Sequence, residues 1–93
     1  MRDVKASNKF KRDLKRELKS PQNLNLEATL DSFLKRLCAD EELPRSSRDH
    51  ILIGNFKGSR ECHIKPDLLL IYKKVGLDEI HLIRIGSHSE IFN

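Results

Sequence analysis

The chain has 93 residues, of which 38% are hydrophobic and 34% are charged, and its formal net charge is +4 at pH 7. This length leaves room for one hydrophobic core and the composition is typical of a folded protein, so we expect residues 1–93 to form a single domain. The longest apolar run, from Leu68 to Tyr72, is too short to cross a bilayer, and the amino end has no apolar signal segment. We therefore predict a cytoplasmic protein that makes no contact with membranes.

The positive charge is concentrated near the amino end. Residues 1–19 contain eight Lys and Arg side chains against three acidic ones, a net charge of +5. A basic surface attracts polyanions over a long range, so nucleic acid or an acidic protein is the expected partner. A solvated helix face without a partner would have the same composition.

Two amphipathic helices are predicted in the first half of the chain, after a short segment at residues 3–6 that could form an edge strand. The first helix should begin after Ser7, a good N-cap, and end before Pro21. Its apolar residues recur at four-residue spacing: Phe10, Leu14 and Leu18. The second helix should run from about Asn25 to Ala39. Its apolar face consists of Leu26, Leu30, Phe33, Leu34 and Leu37.

Four short strands are predicted in the second half, at residues 50–53, 60–65, 68–75 and 79–86. The connections between them are short, so neighbouring strands should run antiparallel. Residues 68–72 are apolar at every position, as expected of a central strand covered on both faces. In the strand at 60–65, Cys62 and Ile64 should face the core. The opposite face should then carry Glu61, His63 and Lys65.

Three of the four histidines, His50, His63 and His88, lie beside strand ends or turns. The fourth, His81, lies in mid-strand and is expected to be structural. Antiparallel strands can bring His50, His63 and Asp67 to one end of the sheet, together with a residue that follows the last strand. Imidazole accepts and donates protons near neutral pH, so such a cluster suits general acid–base catalysis. Each histidine taken alone is more often a surface or core residue.

Cleavage of RNA requires this combination of groups. A base removes the proton of the ribose 2′-hydroxyl, that oxygen attacks the adjacent phosphorus, an acid protonates the departing 5′-oxygen, and cations stabilise the phosphorane. DNA lacks the 2′-hydroxyl, so this reaction would select RNA. The candidate cations are Lys57, Arg60, Lys65 and Arg84.

The end of the chain has the pattern of a capping box. Ser87 is followed three residues later by Glu90, and Gly86 before them allows the chain to turn sharply. A single helical turn is therefore expected there. Its exposed amide groups would favour a phosphate nearby and a neutral imidazole at His88.

Neither a metal nor another cofactor is expected. Cys38 and Cys62 are interpreted as two buried small hydrophobic residues in a reducing cytosol. A zinc site would need paired ligand spacing, such as two cysteines three residues apart, and the sequence has none.

Several segments of the second half share an ordered pattern: Asp49-His50 with Leu52 and Gly54, then Arg60 through Asp67, Leu69 through Tyr72, and Arg84 through Phe92. A basic helix around residues 10–15 precedes them. This pattern resembles the RelE-like messenger-RNA interferase toxins of bacterial type II toxin–antitoxin systems, and specifically their YafQ-type branch. The resemblance implies an α+β, RelE-like microbial ribonuclease fold. In that fold two N-terminal helices pack on a twisted, mainly antiparallel sheet of four to five strands.

The resemblance also implies an endoribonuclease that cuts ribosome-bound messenger RNA. The catalytic set that it implies is His50, His63, Asp67 and His88. Glu61 and Phe92 are implied to support the site and Arg84 to contact phosphate, alongside the candidate cations Arg60 and Lys65. One departure is Leu68, where the family often has tryptophan, so base stacking by that ring is absent here.

A toxin of this kind implies a cognate antitoxin, whose acidic or amphipathic segment would suit the basic amino end of this chain. The other partners that it implies are messenger RNA on the ribosome and operator DNA, which would be bound only through the antitoxin complex. Two alternatives stay open. One is a non-nucleolytic toxin that binds DNA gyrase, a branch that generally lacks the histidine and aspartate set. The other is a non-catalytic corepressor that binds the antitoxin, for which Leu68 is the only indication.

Overall fold

The structure is a computed structural model that describes residues 1–92. The helices and strands of this part of the chain are, in order, β1 (Asp3–Ala6), α1 (Asn8–Leu18), α2 (Leu26–Cys38), β2 (His50–Ile51), β3 (Arg60–Lys65), β4 (Leu68–Val75), β5 (Glu79–Gly86) and α3 (His88–Phe92). Short 3-10 turns lie at Pro21–Asn23, Arg45–Ser47 and Gly54–Phe56. Within these residues, none of the helices has the length and apolar character that a membrane-spanning segment needs.

The strands form one mixed sheet in the order β1-β5-β4-β3-β2. β1 pairs with β5 in parallel, and the other pairs are antiparallel. The strands predicted at 3–6, 60–65, 68–75 and 79–86 are confirmed with the same bounds. The strand predicted at 50–53 ends at Ile51, since the chain then enters the turn that begins at Gly54, where φ is +79°. The predicted α+β fold with a mainly antiparallel sheet is therefore confirmed.

Both faces of the sheet are covered. The helix face is covered by α1 and α2, and its core includes Phe10, Leu26, Leu30, Leu37, Leu70 and Tyr72. The opposite face, called here the α3 face, has a smaller core of Leu69, Ile71 and Ile91, against which Leu52, Phe56 and Ile83 pack. Because β4 lies in the middle of the sheet, residues 68–72 are buried on both faces, as predicted.

The buried side of α1 differs from the predicted apolar stripe. Ser7 caps the helix as predicted, and Phe10 is buried. Leu18, however, is 40% exposed, whereas the acidic side chains of Asp13 and Glu17 are buried. Burial of a carboxylate is costly unless hydrogen bonds and an opposite charge compensate it. Both carboxylates are paired with arginine side chains, which is why α1 can turn these residues inward.

The predicted capping box holds α3 in place. The amide of Ser87 donates to Oε1 of Glu90 at 2.8 Å, and the amide of Glu90 donates to Oγ of Ser87 at 3.2 Å. Gly86 is not one of the glycines with positive φ, so the turn into α3 does not need the conformational freedom of glycine. A Cβ at this position would lie 2.9 Å from Nη2 of Arg16, which reaches past it so that its Nε lies 3.1 Å from Oε2 of Glu90.

Candidate active site

A buried carboxylate lies between two of the predicted catalytic histidines. His50 of β2 pairs with Glu61 of β3, and His63 lies two residues further along β3 on the same face. Oε2 of Glu61 lies 3.4 Å from Nε2 of His50 and 3.8 Å from Nε2 of His63. The Glu61 side chain is 8% exposed, whereas those of His50 and His63 are 50% and 21% exposed. One carboxylate therefore lies within ion-pair distance of two imidazole rings, and both rings are at least partly exposed.

The second nitrogen of each ring faces a backbone carbonyl. Nδ1 of His50 lies 2.6 Å from the carbonyl oxygen of Arg48, and Nδ1 of His63 lies 3.3 Å from that of Pro66. Arg48 has a left-handed backbone, with φ of +50°, directly after the turn Arg45–Ser47. A carbonyl oxygen only accepts hydrogen bonds, so it favours the form of each ring in which Nδ1 carries a proton. Nε2 of each ring is the nitrogen that faces the Glu61 carboxylate.

A second cluster fixes the chain immediately before His50. Asp49 accepts a hydrogen bond from the hydroxyl of Tyr72 at 2.6 Å, and its Oδ2 lies 3.2 Å from Nη2 of Arg60. Burial and the hydrogen bond to Asp49 raise the pKa of Tyr72, and the hydrogen bond to Asp49 also raises the pKa of Arg60. The backbone on both sides of His50 is therefore tied to the sheet.

The position of Arg60 in this cluster differs from the prediction. The sequence predicts this residue as a cation beside the histidines. Arg60 instead pairs with Tyr72 of β4 and shares the helix face with it, whereas Glu61 and His63 lie on the α3 face. Alternation along β3 places Arg60 on the opposite side of the sheet, where it binds Asp49.

His88 lies at the end of the sheet to which His63 belongs. Leu69 of β4 pairs with His63 on one side and with Gly86 on the other. Neighbouring strands are about 4.8 Å apart, so His63 and Gly86 lie about 10 Å apart across β4, and His88 follows Gly86 by two residues. α3 packs its Ile91 against Leu69 on the α3 face. His50 and His63 therefore share one carboxylate on the α3 face, and His88 follows the end of β5 two strands away from β3.

Asp67 lies in the turn between β3 and β4 and is exposed. It lines a cleft of about 590 Å³ that is also lined by Ser87 and Glu90 of the capping box. The turn that follows β3 and the residues that follow β5 thus share one end of the sheet. Among the described residues that line this cleft there is no histidine, so the place of Asp67 in the catalytic set stays a prediction.

Lys65 does not face the same side as His63, which corrects a second prediction. The pairing between β3 and β4 is irregular between His63 and Lys65, so Lys65 pairs with Leu68, a residue of the helix-face core. Its ammonium group donates to the carbonyl of Gln22 at 3.2 Å and to Oδ1 of Asn23 at 3.1 Å. A β-bulge therefore directs Lys65 to the connection between the two long helices.

Arg84 is bound in an internal ion pair, so its guanidinium group is not free to bind phosphate. Its Nε and Nη2 donate to the carboxylate of Asp13 at 2.6 and 3.1 Å, and the amide of Ile85 donates to the same carboxylate at 3.2 Å. The side chains of Arg84 and Asp13 are 18% and 5% exposed. The resemblance implies a contact with phosphate, whereas these hydrogen bonds give Arg84 a structural role between β5 and α1.

The remaining histidine and the cysteines lie apart from this group. Nε2 of His81 lies 2.9 Å from Oε1 of Glu79 on the same strand. Cys38 and Cys62 are buried, as predicted, and burial raises the pKa of the Cys62 thiol to about 12. Among residues 1–92, the His, Cys, Asp and Glu side chains form no group of three or more that could hold a metal ion.

The sequence alone gave no role to the groups that hold the site together. The sequence pattern indicates no site for Asp13 and presents Tyr72 only as part of an apolar run. One signal was available for Tyr72, because a buried tyrosine hydroxyl needs a hydrogen-bond partner. The central position of Glu61 between two histidines depends on the pairing of β2 with β3 and could not be found in β3 alone.

Comparison with known proteins identifies the family. The model of the YafQ family, described as a bacterial toxin of type II toxin–antitoxin system, matches residues 2–93. The chain belongs to this family. A putative toxin YafQ of Haemophilus influenzae is 36% identical over 90 residues, which cover 94% of this chain and 88% of the relative. The mRNA interferase toxin YafQ of Escherichia coli K12 is 31% identical over 98% of this chain and 96% of the relative.

Solved structures of YafQ-type toxins share the fold. A metal-bound toxin from Helicobacter pylori has a TM-score of 0.87 and 40% identity, over 99% of this chain and 100% of that chain. YafQ from E. coli BL21(DE3) has a TM-score of 0.85 and 28% identity, over 100% of both chains. The matching chain of the E. coli DinJ–YafQ complex has a TM-score of 0.79 and 29% identity, again over 100% of both chains. The resemblance inferred from the sequence is thereby confirmed.

Proposed function

We propose that this chain, as the toxin of a type II toxin–antitoxin pair, is an endoribonuclease that cleaves ribosome-bound messenger RNA through attack of the ribose 2′-hydroxyl. Its family consists of toxins of such systems, and its E. coli relatives are named mRNA interferase toxins. The observation that carries the proposal for this chain is the placement of Glu61 between His50 and His63 on the α3 face, the face on which α3 packs.

The proposed reaction needs one group that accepts the 2′-hydroxyl proton and one that donates a proton to the 5′-oxygen. His63 and His88, on either side of β4, are proposed to supply one group each. Glu61 orients the rings of His50 and His63 and stabilises positive charge on them. Three of the candidate cations are bound elsewhere: Arg60, Lys65 and Arg84. The imidazole that carries a proton, together with the remaining candidate cation Lys57, is therefore proposed to stabilise the negative charge of the phosphorane.

Asp67 and Phe92 complete the proposed site. The carboxylate of Asp67 is exposed beside the cleft and can accept a hydrogen bond from a ribose hydroxyl. The ring of Phe92 lies against that of His88, with centroids 4.8 Å apart, and so limits the orientations of this imidazole.

A cognate antitoxin is the second proposed partner. Crystal structures show the E. coli relative YafQ in a toxin–antitoxin complex with DinJ. The exposed basic residues of α1 offer a complementary surface to an acidic or amphipathic segment: Lys9, Lys11, Arg12 and Lys15. Operator DNA would be bound only through the antitoxin. Because ribosomes lie in the bacterial cytoplasm, we propose that the protein acts there, as a single domain of residues 1–93.

The test is to incubate the antitoxin-free protein with translating ribosomes and to map the RNA ends. We expect cuts at discrete codon positions that leave 2′,3′-cyclic phosphates. His63→Ala and His88→Ala should abolish both these cuts and growth inhibition. Their far-UV circular dichroism should remain that of the parent, because both side chains are at least partly exposed.

His81→Ala is the matched control, because this histidine pairs with Glu79 outside the proposed site. It should cleave RNA at the rate of the parent. Cleavage that persists in the His63 and His88 variants would contradict the assignment of these residues. Growth inhibition without RNA cleavage would instead favour a toxin that acts by binding DNA gyrase, and retention of antitoxin binding alone would favour a corepressor.

A further inference from the structure

The α3 face of the sheet is covered over only part of its length. α3 and the turn that contains Phe56 pack on Leu69 and Ile71 of β4. Two residues beyond Ile71, Lys73 lies on the same face of β4 and is exposed. The strands β1, β5 and β4 thus present an open surface that continues the face on which Glu61 lies.

Strand pairing aligns two lysines on this open surface. Lys5 of β1 and Lys73 of β4 both pair with His81 of β5, which lies between them. Two strand spacings separate the lysines, so their Cα atoms lie about 10 Å apart. Ala6 and Tyr72, which follow Lys5 and precede Lys73 in the chain, belong to the helix-face core or pack against it. Because side chains alternate along a strand, both lysines point to the α3 face.

A groove of about 290 Å³, called here the lysine groove, lies between these two side chains. Its lining includes Lys5, Ser7, Lys73, His81 and Ile83. Both lysines are exposed, whereas Nε2 of His81 is held by Glu79, with 2.9 Å to its Oε1. In the described part of the chain, the lysines that form salt bridges are Lys35 and Lys74. Within these residues, the ammonium groups of the two groove lysines therefore have no carboxylate partner.

The lysine groove adjoins the candidate active site. Glu61 of β3 pairs with Ile71 of β4, two residues before Lys73. Diagonal neighbours of this kind lie about 7–8 Å apart. The side chain of Lys73 also reaches the start of β3, since its Nζ lies 3.7 Å from the position that a Cβ would take at Gly58, the residue after the candidate cation Lys57. Positive charge is therefore continuous from the candidate active site to the groove.

Acidic residues border the groove on its other side. Asp3 of β1 pairs with Glu79 of β5, and these two residues precede Lys5 and His81 by two positions on their strands. They lie on the same face as the groove lysines, where their carboxylates repel a polyanion. A polyanion that comes from the candidate active site is therefore attracted as far as the two lysines and repelled beyond them.

We propose that Lys5 and Lys73 bind backbone phosphates of the RNA strand that is cut, on one side of the scissile bond. His63 pairs with Leu69, four residues before Lys73, which is a distance of about 13 Å along β4. At a stacked rise of about 3.4 Å, the bound phosphates lie within about four nucleotides of the cut. Phosphate contacts position a strand but carry no base information, so the groove should act equally on all sequences. This inference rests on the proposed RNA cleavage.

The salt dependence of RNA binding tests the groove directly. The RNA is a short labelled strand whose 2′-hydroxyls are methylated, so that it cannot be cleaved, and its affinity is measured by fluorescence anisotropy at a series of KCl concentrations. Each phosphate contact of a single strand contributes about 0.7 to the slope of log affinity against log salt, so Lys5→Gln combined with Lys73→Gln should reduce the slope by about 1.4. At one salt concentration the double variant should bind about 2- to 30-fold more weakly, the combined effect of two exposed ion pairs. Lys35→Gln, exposed on α2, is the matched control and should keep the slope and affinity of the parent.

Replacement of one phosphate at a time by an uncharged methylphosphonate locates the contacts on the RNA. In the parent, substitution at one or two positions within about four nucleotides of the cut, all on the same side of it, should weaken binding. The same substitutions should have no further effect in the double variant, because the lysines that paired with the removed charges are already neutral. Substitutions that weaken the parent and the double variant equally at every position would overturn the proposal.

Failure of the groove and failure of the proposed cleavage give different results. The double variant should need more RNA for half-maximal single-turnover cleavage, with a rate at saturation within about twofold of the parent, because its contacts bind substrate and transition state alike. His63→Ala should instead lose cleavage but keep the parental salt slope. A parent protein that cleaves no RNA refutes the proposed function. Cleavage by the parent, with unchanged RNA binding in the double variant and a loss only of binding to a peptide rich in Asp and Glu, overturns the groove alone.

Discussion

The ion pair between Asp13 and Arg84 makes a quantitative prediction about stability. The Asp13 carboxylate is 5% exposed and accepts hydrogen bonds from Arg84, from the amide of Ile85 and from Arg16. Breaking a buried pair by removing one charge costs about 3–5 kcal/mol. Because the Arg84 side chain keeps 18% exposure, we expect the lower end of that range, about 3 kcal/mol, for Asp13→Asn.

The assay is unfolding in urea at pH 7, followed by circular dichroism at 222 nm. In a domain of this size about 1 kcal/mol corresponds to roughly 4–8 °C in Tm, so thermal unfolding of Asp13→Asn should shift down by about 12–24 °C. Asp31→Asn is the matched control, because its pair with Lys35 is exposed on α2, with side-chain exposures of 64% and 74%. Its free energy of unfolding should stay within about 0.5 kcal/mol of the parent.

The pH dependence of this difference has a definite sign. Burial acts to raise the pKa of Asp13, but the hydrogen bonds from Arg84 and Ile85 outweigh it and leave the pKa below the ordinary 3.8. A carboxylate with a lowered folded-state pKa stabilises the protein above its unfolded-state pKa and loses that effect as the pH falls through the folded-state value. The gap between parent and variant should therefore be constant near neutrality and shrink below about pH 4. A variant as stable as the control at pH 7 would refute the structural role of Arg84.

Two further predictions concern the site and the basic helix. Glu61→Gln should lower the single-turnover rate of RNA cleavage by about 10²–10⁴-fold, because a neutral amide cannot stabilise positive charge on two imidazoles. Its circular dichroism should be that of the parent. A parental cleavage rate would exclude this role of Glu61. Charge reversal of Lys11 and Lys15 should weaken ribosome binding and reduce the salt dependence of the logarithm of the affinity by about one unit per lysine. Reversal of Lys35 on α2 is the control, and an equal loss there would contradict a specific role for α1.

Elements that depend on local patterns could be predicted from the sequence. Alternating or continuous apolar residues set β3, β4 and β5, and the turn residues between them allow only short, antiparallel connections. The capping box at Ser87 and Glu90 is another local signal, since the two groups that it joins are three residues apart. The approach of His50 and His63 to each other could also be expected, because both lie on short antiparallel strands.

The roles of the charged residues could not be predicted in the same way. Along α1, the pattern of Phe10, Leu14 and Leu18 does not reveal that Asp13 is buried, because the compensating Arg84 lies 71 residues away in the chain. Composition alone presents Arg84 and Arg60 as equivalent free cations. Their partners are selected only when β5 packs against α1 and β2 pairs with β3.

The sequence by itself therefore determined most of the secondary structure and the family, since each follows from residues close together in the chain or from an ordered pattern. Tertiary structure alone decided which charges serve the site. A bulge after His63 turns Lys65 to the helix face, and the register between β2 and β3 places Glu61 beside His50. The physical reason is that a shift of one residue in strand pairing reverses the face to which every following side chain points.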